Sequence, residues 1–152
     1  MIKLIIILLL LNTLYALSFN RERYNKGVEK YGKYVRQAAE KYRLDTLLVY
    51  AIIEKESGWN KNAKGTFNCN GLMQVQGGSF DPAKNINSGC SILRKCLDAY
   101  KNDIVMSLTA YNAGIKGAKR MLKRKKPLVY AREVLKIYKQ ILEDKIYESK
   151  NY

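Results

Sequence analysis

The sequence predicts an all-α, lysozyme-like single domain with a loop-rich insert, an expectation that rests on three observations. The chain has 152 residues, enough for one hydrophobic core but too few for two independent ones. Apolar residues recur with helical spacing before residue 58 and after residue 85. Between them, the stretch 58–85 shows no sustained period and is rich in Asn and Gly, as expected of a long loop that could include a short irregular hairpin.

The first element is predicted to be a secretory signal peptide over residues 1–18. Lys3 precedes an apolar run from Leu4 to Leu11, and Ala16 and Ser18 supply the small residues of a cleavage site. The alternative is an uncleaved membrane anchor, for which the run is short against the ~20 residues of a spanning helix. We therefore expect a mature domain over 19–152 that is exported, periplasmic or secreted, without stable membrane insertion after cleavage.

Two helices are predicted before the insert. Residues 25–44 carry apolar and tyrosine side chains at helical spacing, which indicates an amphipathic helix. Asp45 can cap the next helix, whose apolar run from Leu47 to Ile53 covers every face and so belongs in the middle of a bundle. This second helix should end near Gly58.

Helical spacing resumes at residue 86, with one apolar stripe on the next helix. A shorter helix should begin at the Asp103 cap and end at Gly114, and a short basic segment follows. Pro127 should start the last helix. The stripe residues of the helix that begins at 86 are Ile86, Cys90, Leu93, Leu97 and Tyr100.

Charge and residue types limit the function. A net charge of +15 favours polyanions such as nucleic acid, anionic lipid or wall polymers, although a solvated surface with no partner is also possible. Because exported proteins rarely meet nucleic acid, we expect a cell-envelope partner and no nucleic acid. The absence of histidine excludes Ser-His-Asp and Cys-His catalysis and histidine zinc sites. No Cys-x-x-Cys pair occurs, so we expect neither a metal nor a cofactor.

Three cysteines in an exported chain predict one disulfide and one remaining thiol. Cys90 and Cys96 are six residues apart in a predicted helix, so they lie on different faces and should not pair. The candidates are Cys69 with Cys90 and Cys69 with Cys96, and both stay open.

A carboxylate at the end of a buried helix is the main chemical signal. The negative end of the helix dipole and partial desolvation both raise the pKa of such a group. A carboxylic acid that remains protonated near neutral pH can donate a proton to a leaving oxygen. The pattern leaves Glu54 and Glu56 both open, and both could also be ordinary charges at a frayed helix end.

Four short segments occur in a characteristic order: ESGWN at 56–60, GLMQ at 71–74, NINSG at 85–89 and AYNAG at 110–114. They resemble the signatures of the lytic transglycosylase domain of the soluble Slt type, a member of the lysozyme-like superfamily that also resembles goose-type lysozymes. Gln74 follows Glu56 by eighteen residues, as in the family. The resemblance covers roughly residues 43–138.

The resemblance implies that Glu56, and not Glu54, is the single catalytic carboxylate. In the family this acid protonates the bond between N-acetylmuramic acid and N-acetylglucosamine, and the muramyl 6-hydroxyl then forms a 1,6-anhydro end. The N-acetyl group of the substrate replaces a second carboxylate. The partners implied are peptidoglycan glycan strands and, for the biological role, a secretion, conjugation or flagellar apparatus.

The resemblance also carries over a substrate-binding set and places Trp59 behind the loop. Trp59 and Met73 could equally be core residues, and Tyr111 and Asn112 could merely cap their helix. This chain departs from the family at Gly65 and at NCN, residues 68–70, in the loop that precedes GLMQ. The implied substrate-binding residues are Ser57, Met73, Gln74, Tyr111, Asn112 and Tyr130.

Three other functions stay open. A goose-type muramidase would hydrolyse the same bond with water. A wall-binding or assembly module would keep the site without turnover. Binding of a membrane surface or nucleic acid by the lysines has only the charge in its favour.

Overall fold

The computed structural model describes residues 19–126 and 128–150, and its helices confirm the predicted all-α class. The signal peptide predicted for 1–18 and the helix start predicted at Pro127 lie outside the described residues. In chain order the helices are α1 (Arg21–Tyr42), α2 (Thr46–Ser57), α3 (Pro82–Ala99), α4 (Ile104–Ala113), α5 (Ile115–Lys123) and α6 (Val129–Lys150).

The insert between α2 and α3 contains the short irregular hairpin. A turn of 3-10 helix at Thr66–Asn68 leads into strand β1 (Cys69–Asn70), which pairs antiparallel with β2 (Val75–Gln76). Cys69 lies opposite Gln76, and Asn70 lies opposite Val75. The GLMQ segment, residues 71–74, therefore forms the whole connection between the two strands.

The predicted caps of α2 and α4 are present. Asp45 Oδ1 accepts a hydrogen bond from the Leu47 backbone N–H at 2.7 Å, and Asp103 Oδ1 accepts one from the Met106 N–H at 3.0 Å. Gly58 ends α2 in the left-handed region, with φ 53°, where glycine is favoured. The end of α2 is therefore fixed by local sequence.

α3 begins four residues earlier than the apolar stripe predicted. Asp81 caps it by accepting from the Lys84 N–H at 2.8 Å, and Pro82 occupies the first turn. The first turn is polar and stabilised by its cap, so an apolar period could not reveal it. The Asp-Pro pair was the available signal.

α2 is the central helix. Val49, Ala51, Ile52 and Ile53 are completely buried, and α2 packs against α1 on one side and α6 on another. Burial of one large aliphatic side chain contributes about 1.5–3 kcal/mol to stability. The carboxylates in the last turn of α2 therefore belong to a helix that is anchored in the hydrophobic core. No helix in the described part of the chain is long and apolar enough to cross a membrane.

Cys69, Cys90 and Cys96 are all free thiols in the structure, which contains neither of the two predicted pairings. Cys90 is fully buried in the main core, and Cys96 packs in a separate cluster with Met106 and Ala118. Both act as small core hydrophobes, while Cys69 lies half-buried on β1. Burial raises the pKa of Cys90 to about 12, which keeps this thiol unreactive.

Candidate active site

The last turn of α2 and the first turn of α6 bring Glu56 and Tyr130 together. The Tyr130 hydroxyl donates a hydrogen bond to Glu56 Oε1 at 2.6 Å. One residue earlier on α2, Lys55 Nζ lies 2.8 Å from Glu133 Oε2, so a second contact joins the same two helix ends. The packing of α2 on α6 thus positions a carboxyl group and a phenol at hydrogen-bond distance.

The surroundings of Glu56 favour the protonated acid. Burial raises the pKa of Glu56 above its ordinary value, against smaller opposing effects of the Tyr130 hydrogen bond and the Lys55 charge. Burial, and next the Glu56 charge, raise the pKa of Tyr130 well above its ordinary range. Tyr130 therefore remains a hydrogen-bond donor while Glu56 can hold or release a proton.

Glu54 has a different environment, which separates it from Glu56. It is 5% exposed and forms an ion pair with Arg23 of α1, while its second oxygen, Oε2, is buried without a hydrogen-bond partner. Two residues along a helix turn the side chain by about 200°. Glu54 therefore faces α1, and Glu56 faces the hairpin and α6.

Ser57 links α2 to the GLMQ segment. Its hydroxyl oxygen lies 2.8 Å from the Leu72 carbonyl oxygen and 3.2 Å from that of Ile53, and its proton can be donated to either. The side chain next to Glu56 is thus used to hold the loop against the helix that carries the acid.

Met73 and Tyr111 join the loop to α4. The Tyr111 hydroxyl donates to the Met73 carbonyl oxygen at 2.8 Å. The Met73 side chain is completely buried, so in this structure it forms part of the core beneath the site and does not reach the surface. Burial, followed by the Glu56 charge, raises the pKa of Tyr111 well above its ordinary value, which indicates that Tyr111 lies in the field of the carboxylate.

Asn85 of the NINSG segment is a site residue to which the sequence reading gave no role. Its Oδ1 accepts from the Met73 N–H at 2.8 Å, and its Nδ2 lies 2.8 Å and 2.9 Å from the carbonyl oxygens of Asn70 and Ser79. The side chain is 1% exposed. Asn85 therefore satisfies backbone groups from three points of the insert, and the motif itself was the signal that could have found it.

Gly89, the last residue of the same motif, makes room for Met73. A Cβ at this position would lie 2.5 Å from the Met73 sulfur and 2.7 Å from its Cβ, closer than van der Waals contact permits. The NINSG segment thus shapes the GLMQ loop by hydrogen bonding at its start and by close approach at its end.

Gln74 uses its amide nitrogen inside the loop. Nε2 lies 2.9 Å from the Gly71 carbonyl oxygen and 3.1 Å from that of Ala63, and the backbone has a φ of 48°. A Cβ at Gly65 would lie 2.2 Å from Gln74 Oε1. The departure at Gly65 therefore accommodates Gln74, whose Oε1 has no hydrogen-bond donor among the described side chains and backbone.

Asn112 and Trp59 differ in how far they are exposed to solvent. Asn112 is exposed at the end of α4, beside Tyr111. Trp59 is 6% exposed and stacks on Tyr31 of α1 at 6.5 Å between ring centroids, so it is part of the hydrophobic core.

A cavity of about 420 Å³ lies beside the C-terminal end of α2, on the side of α1. It is lined by residues of α1 and of the turn after α2, and none of the predicted catalytic or substrate-binding residues contributes to it. In the described residues no group of three or more His, Cys, Asp or Glu is placed to hold a metal ion. The cavity lining includes Arg23, Lys26, Gly27, Lys30 and Trp59.

A family model described as "Transglycosylase SLT domain" matches residues 33–132. The chain belongs to the transglycosylase SLT domain family. The match covers most of the chain and contains all four segments on which the predicted resemblance rests, so that resemblance is confirmed.

Two known proteins place this SLT domain among its relatives. The chain is 32% identical over 133 residues to "Membrane-bound lytic murein transglycosylase C" of Shigella sonnei (strain Ss046), covering 68% of this chain and 37% of that protein. An X-ray structure of an inactive mutant of lytic transglycosylase Slt from Pseudomonas aeruginosa has the same fold, with a TM-score of 0.63 and 21% identity. That match covers 74% of this chain and 24% of the other. The SLT domain thus spans well under half the length of either relative.

Proposed function

We propose that this SLT domain is a peptidoglycan lytic transglycosylase in which Glu56 is the single acid and base. The observation that carries the proposal is the Glu56–Tyr130 pair, a half-buried carboxyl with a raised pKa in direct hydrogen bond to a phenol. It lies in a chain whose relative is named a lytic murein transglycosylase. Glu54 forms an ion pair with Arg23, which supports the choice of Glu56 as the acid.

The reaction needs two proton transfers at one carboxyl group. Protonated Glu56 donates its proton to the glycosidic oxygen as the bond to the muramyl anomeric carbon breaks. The resulting carboxylate then accepts the proton of the muramyl 6-hydroxyl as that oxygen bonds to the anomeric carbon. Glu56 is thereby returned to its acid form, and the product carries a 1,6-anhydro end.

Tyr130 and the loop contacts support this chemistry. The Tyr130 hydroxyl holds Glu56 Oε1, which leaves Oε2 as the oxygen that faces substrate. Ser57 and Tyr111 fix the GLMQ backbone beside it through the carbonyls of Leu72 and Met73. In this proposal Gln74 Oε1 and Asn112 contact the sugar, while Ser57, Met73 and Tyr111 shape the site.

Product analysis tests the proposal. Purified peptidoglycan is digested with the protein spanning residues 19–152, and the soluble fragments are examined by mass spectrometry. Anhydro-muropeptides are expected. Reducing, hydrated ends would replace the proposal by a goose-type muramidase, and no release at any ionic strength would replace it by a wall-binding module.

Location follows as part of the same proposal. We place the protein outside the cytoplasmic membrane, periplasmic or secreted, because of the signal-peptide features of residues 1–18 and the wall polymer as substrate. Recovery of the protein from the cytoplasmic fraction of expressing cells would contradict this. Cross-linking in whole cells tests the proposed role beside a secretion, conjugation or flagellar apparatus. Capture of proteins of such an apparatus is expected, whereas capture of wall material alone would indicate general turnover.

A further inference from the structure

The chain from 104 to 132 contains eight Lys or Arg residues and no Asp or Glu. All eight side chains are exposed. We call the central part, residues 115–126, the basic segment; it comprises α5 and the turn that follows. The eight cations are Lys116, Lys119, Arg120, Lys123, Arg124, Lys125, Lys126 and Arg132.

The charge of the basic segment is not neutralised within the protein. Some cations elsewhere in the described chain pair with carboxylates, as in Lys26 with Glu22 at 2.6 Å and Arg94 with Asp98 at 2.7 Å. No ion pair involves a residue of the basic segment among residues 19–126 and 128–150. An anionic partner would therefore meet free cations and would not have to break existing pairs.

Apolar side chains lie beside these cations. Ile115 is 46% exposed and Leu122 is 57% exposed, and they are seven residues apart, on the same side of α5. Ala118 is fully buried and packs with Cys96, Met106 and others, so α5 is anchored through this small residue. The helix thus presents a cationic face with an exposed apolar edge, an arrangement typical of helices that lie in the headgroup region of a membrane.

We infer that the basic segment is a docking surface for an anionic phospholipid bilayer. Its cations would contact lipid phosphates, and Ile115 and Leu122 would enter the boundary between headgroups and acyl chains. The exposed apolar edge favours a bilayer over a dissolved polyanion, because a polyanion would be bound by charge alone. The inference does not depend on the proposed catalytic activity.

Docking would also orient the candidate active site. α5 connects α4, which carries Tyr111, to α6, which carries Tyr130. A bilayer bound at the basic segment would therefore lie next to the region that we assign to substrate. The enzyme would then work on glycan strands close to the membrane surface.

Vesicle sedimentation tests the inference with the protein spanning residues 19–152, which holds the whole of the core described above. Vesicles of phosphatidylglycerol and phosphatidylcholine are compared with vesicles of phosphatidylcholine alone, at low and high salt. Two variants are needed, one that removes charge and one that removes the apolar edge. They are K119Q/K123Q/R124Q/K125Q and I115S/L122S.

A matched control loses the same net charge elsewhere on the surface. Its four lysines are exposed and lie on α1, the insert and α3. Thermal unfolding of every variant shows that the fold is kept. The control variant is K33Q/K61Q/K84Q/K95Q.

The wild type is expected to bind only the anionic vesicles and to be released by salt. Because each cation near an anionic surface contributes about fivefold to partitioning, the charge variant should lose more than about a hundredfold. The apolar variant should lose about tenfold, and the control should lose far less than the charge variant. The inference would be overturned if the wild type did not bind or if the charge variant and the control lost equal affinity. Full binding by I115S/L122S would also overturn it and would indicate a soluble polyanion as the partner.

Discussion

Two opposing effects set the proton affinity of Glu56. Burial favours the neutral acid, whereas the hydroxyl of Tyr130 and the charge of Lys55 favour the carboxylate. An acid that must first give and then take a proton benefits from this balance. Substitutions that remove one of these contributions at a time show how each affects the pKa of Glu56.

Tyr130→Phe should move the alkaline limb of the activity profile to higher pH. The substitution removes the hydrogen bond that lowers the pKa of Glu56, so the protonated acid should persist further into the alkaline range. The measurement is kcat/KM against pH. Tyr138→Phe, which removes a similar bond to Asp45 at 2.8 Å, is the control and should leave the limb in place. A limb that stays or moves to lower pH in Tyr130→Phe would contradict the account.

Glu56→Gln should gain stability relative to wild type as the pH rises from 4 to 7. The folded pKa of Glu56 is raised, so its contribution to stability is fully present below the unfolded pKa of about 4.3 and is lost as pH rises through the folded pKa. Gln carries no charge to desolvate. The Tm of Glu56→Gln minus the Tm of wild type should therefore increase with pH. A decrease between pH 4 and 7 would show that burial does not raise the pKa of Glu56.

The sequence could not choose between Glu54 and Glu56 by period alone. The helix before them is apolar on every face, so no stripe identifies which carboxylate points outward. Arg23 lies thirty-one residues before Glu54, and no local rule predicts that contact. The choice of Glu56 rests on the ESGWN motif and stays a prediction. In the structure Glu54 pairs with Arg23, whereas Glu56 accepts a hydrogen bond from Tyr130.

At the scale of elements, Asn85 joins α3 to the insert. A single buried amide satisfies three backbone groups of the insert, on both sides of the GLMQ connection. The order of the sequence motifs thus reflects a physical arrangement, in which one motif contains the proposed acid and another holds the GLMQ loop in place.

Asn85→Ala should destabilise the protein by about 3 kcal/mol, because it leaves buried backbone groups without partners at about 1–3 kcal/mol each. Activity should fall further than the loss of folded protein explains, since the loop beside Glu56 loosens. Asn87→Ala is the control on the same helix, where the side chain accepts from Lys41 and Tyr42 near the surface, and should cost about 1 kcal/mol or less. Urea unfolding measures both, and equal losses would show that Asn85 has no special role.

The elements differed in how well the sequence predicted them. Caps at Asp45, Asp103 and Gly58 are local and were predicted correctly. The start of α3 at Pro82 was missed because its first turn is polar. The hairpin strands are two residues each, too short for an alternating pattern, so only their presence in the insert could be expected.

At the scale of the whole molecule, charge should govern encounter with the wall. The net charge is +15, and exposed charges act over about 10 Å at 0.1 M salt. Activity on intact sacculi should fall several-fold between about 0.05 M and 0.5 M salt, since the Debye length shortens. Activity on a short uncharged oligosaccharide should change little. A flat profile on sacculi would show that the charge has no part in substrate encounter.

The predicted disulfide also depends on the whole molecule, and the structure contains neither of the two predicted pairings. A prediction from the number of cysteines assumes that two of them come close enough to bond. In the fold, Cys90 and Cys96 instead lie in two different core clusters. Their spacing correctly separated them from each other, yet it carried no information about Cys69 on the hairpin. Pairing depends on tertiary distance, which a single sequence does not contain.

The central claim is that Glu56 is the one catalytic carboxylate, and a comparison of Glu56→Gln with Glu54→Gln tests it most directly. Both variants remove one carboxylate from the same helix end. Release of anhydro-muropeptides should fall at least about a hundredfold in Glu56→Gln, as expected when a general acid is lost, and stay within a few-fold of wild type in folded Glu54→Gln. Retained activity in Glu56→Gln, or an equal loss in both folded variants, would contradict the account.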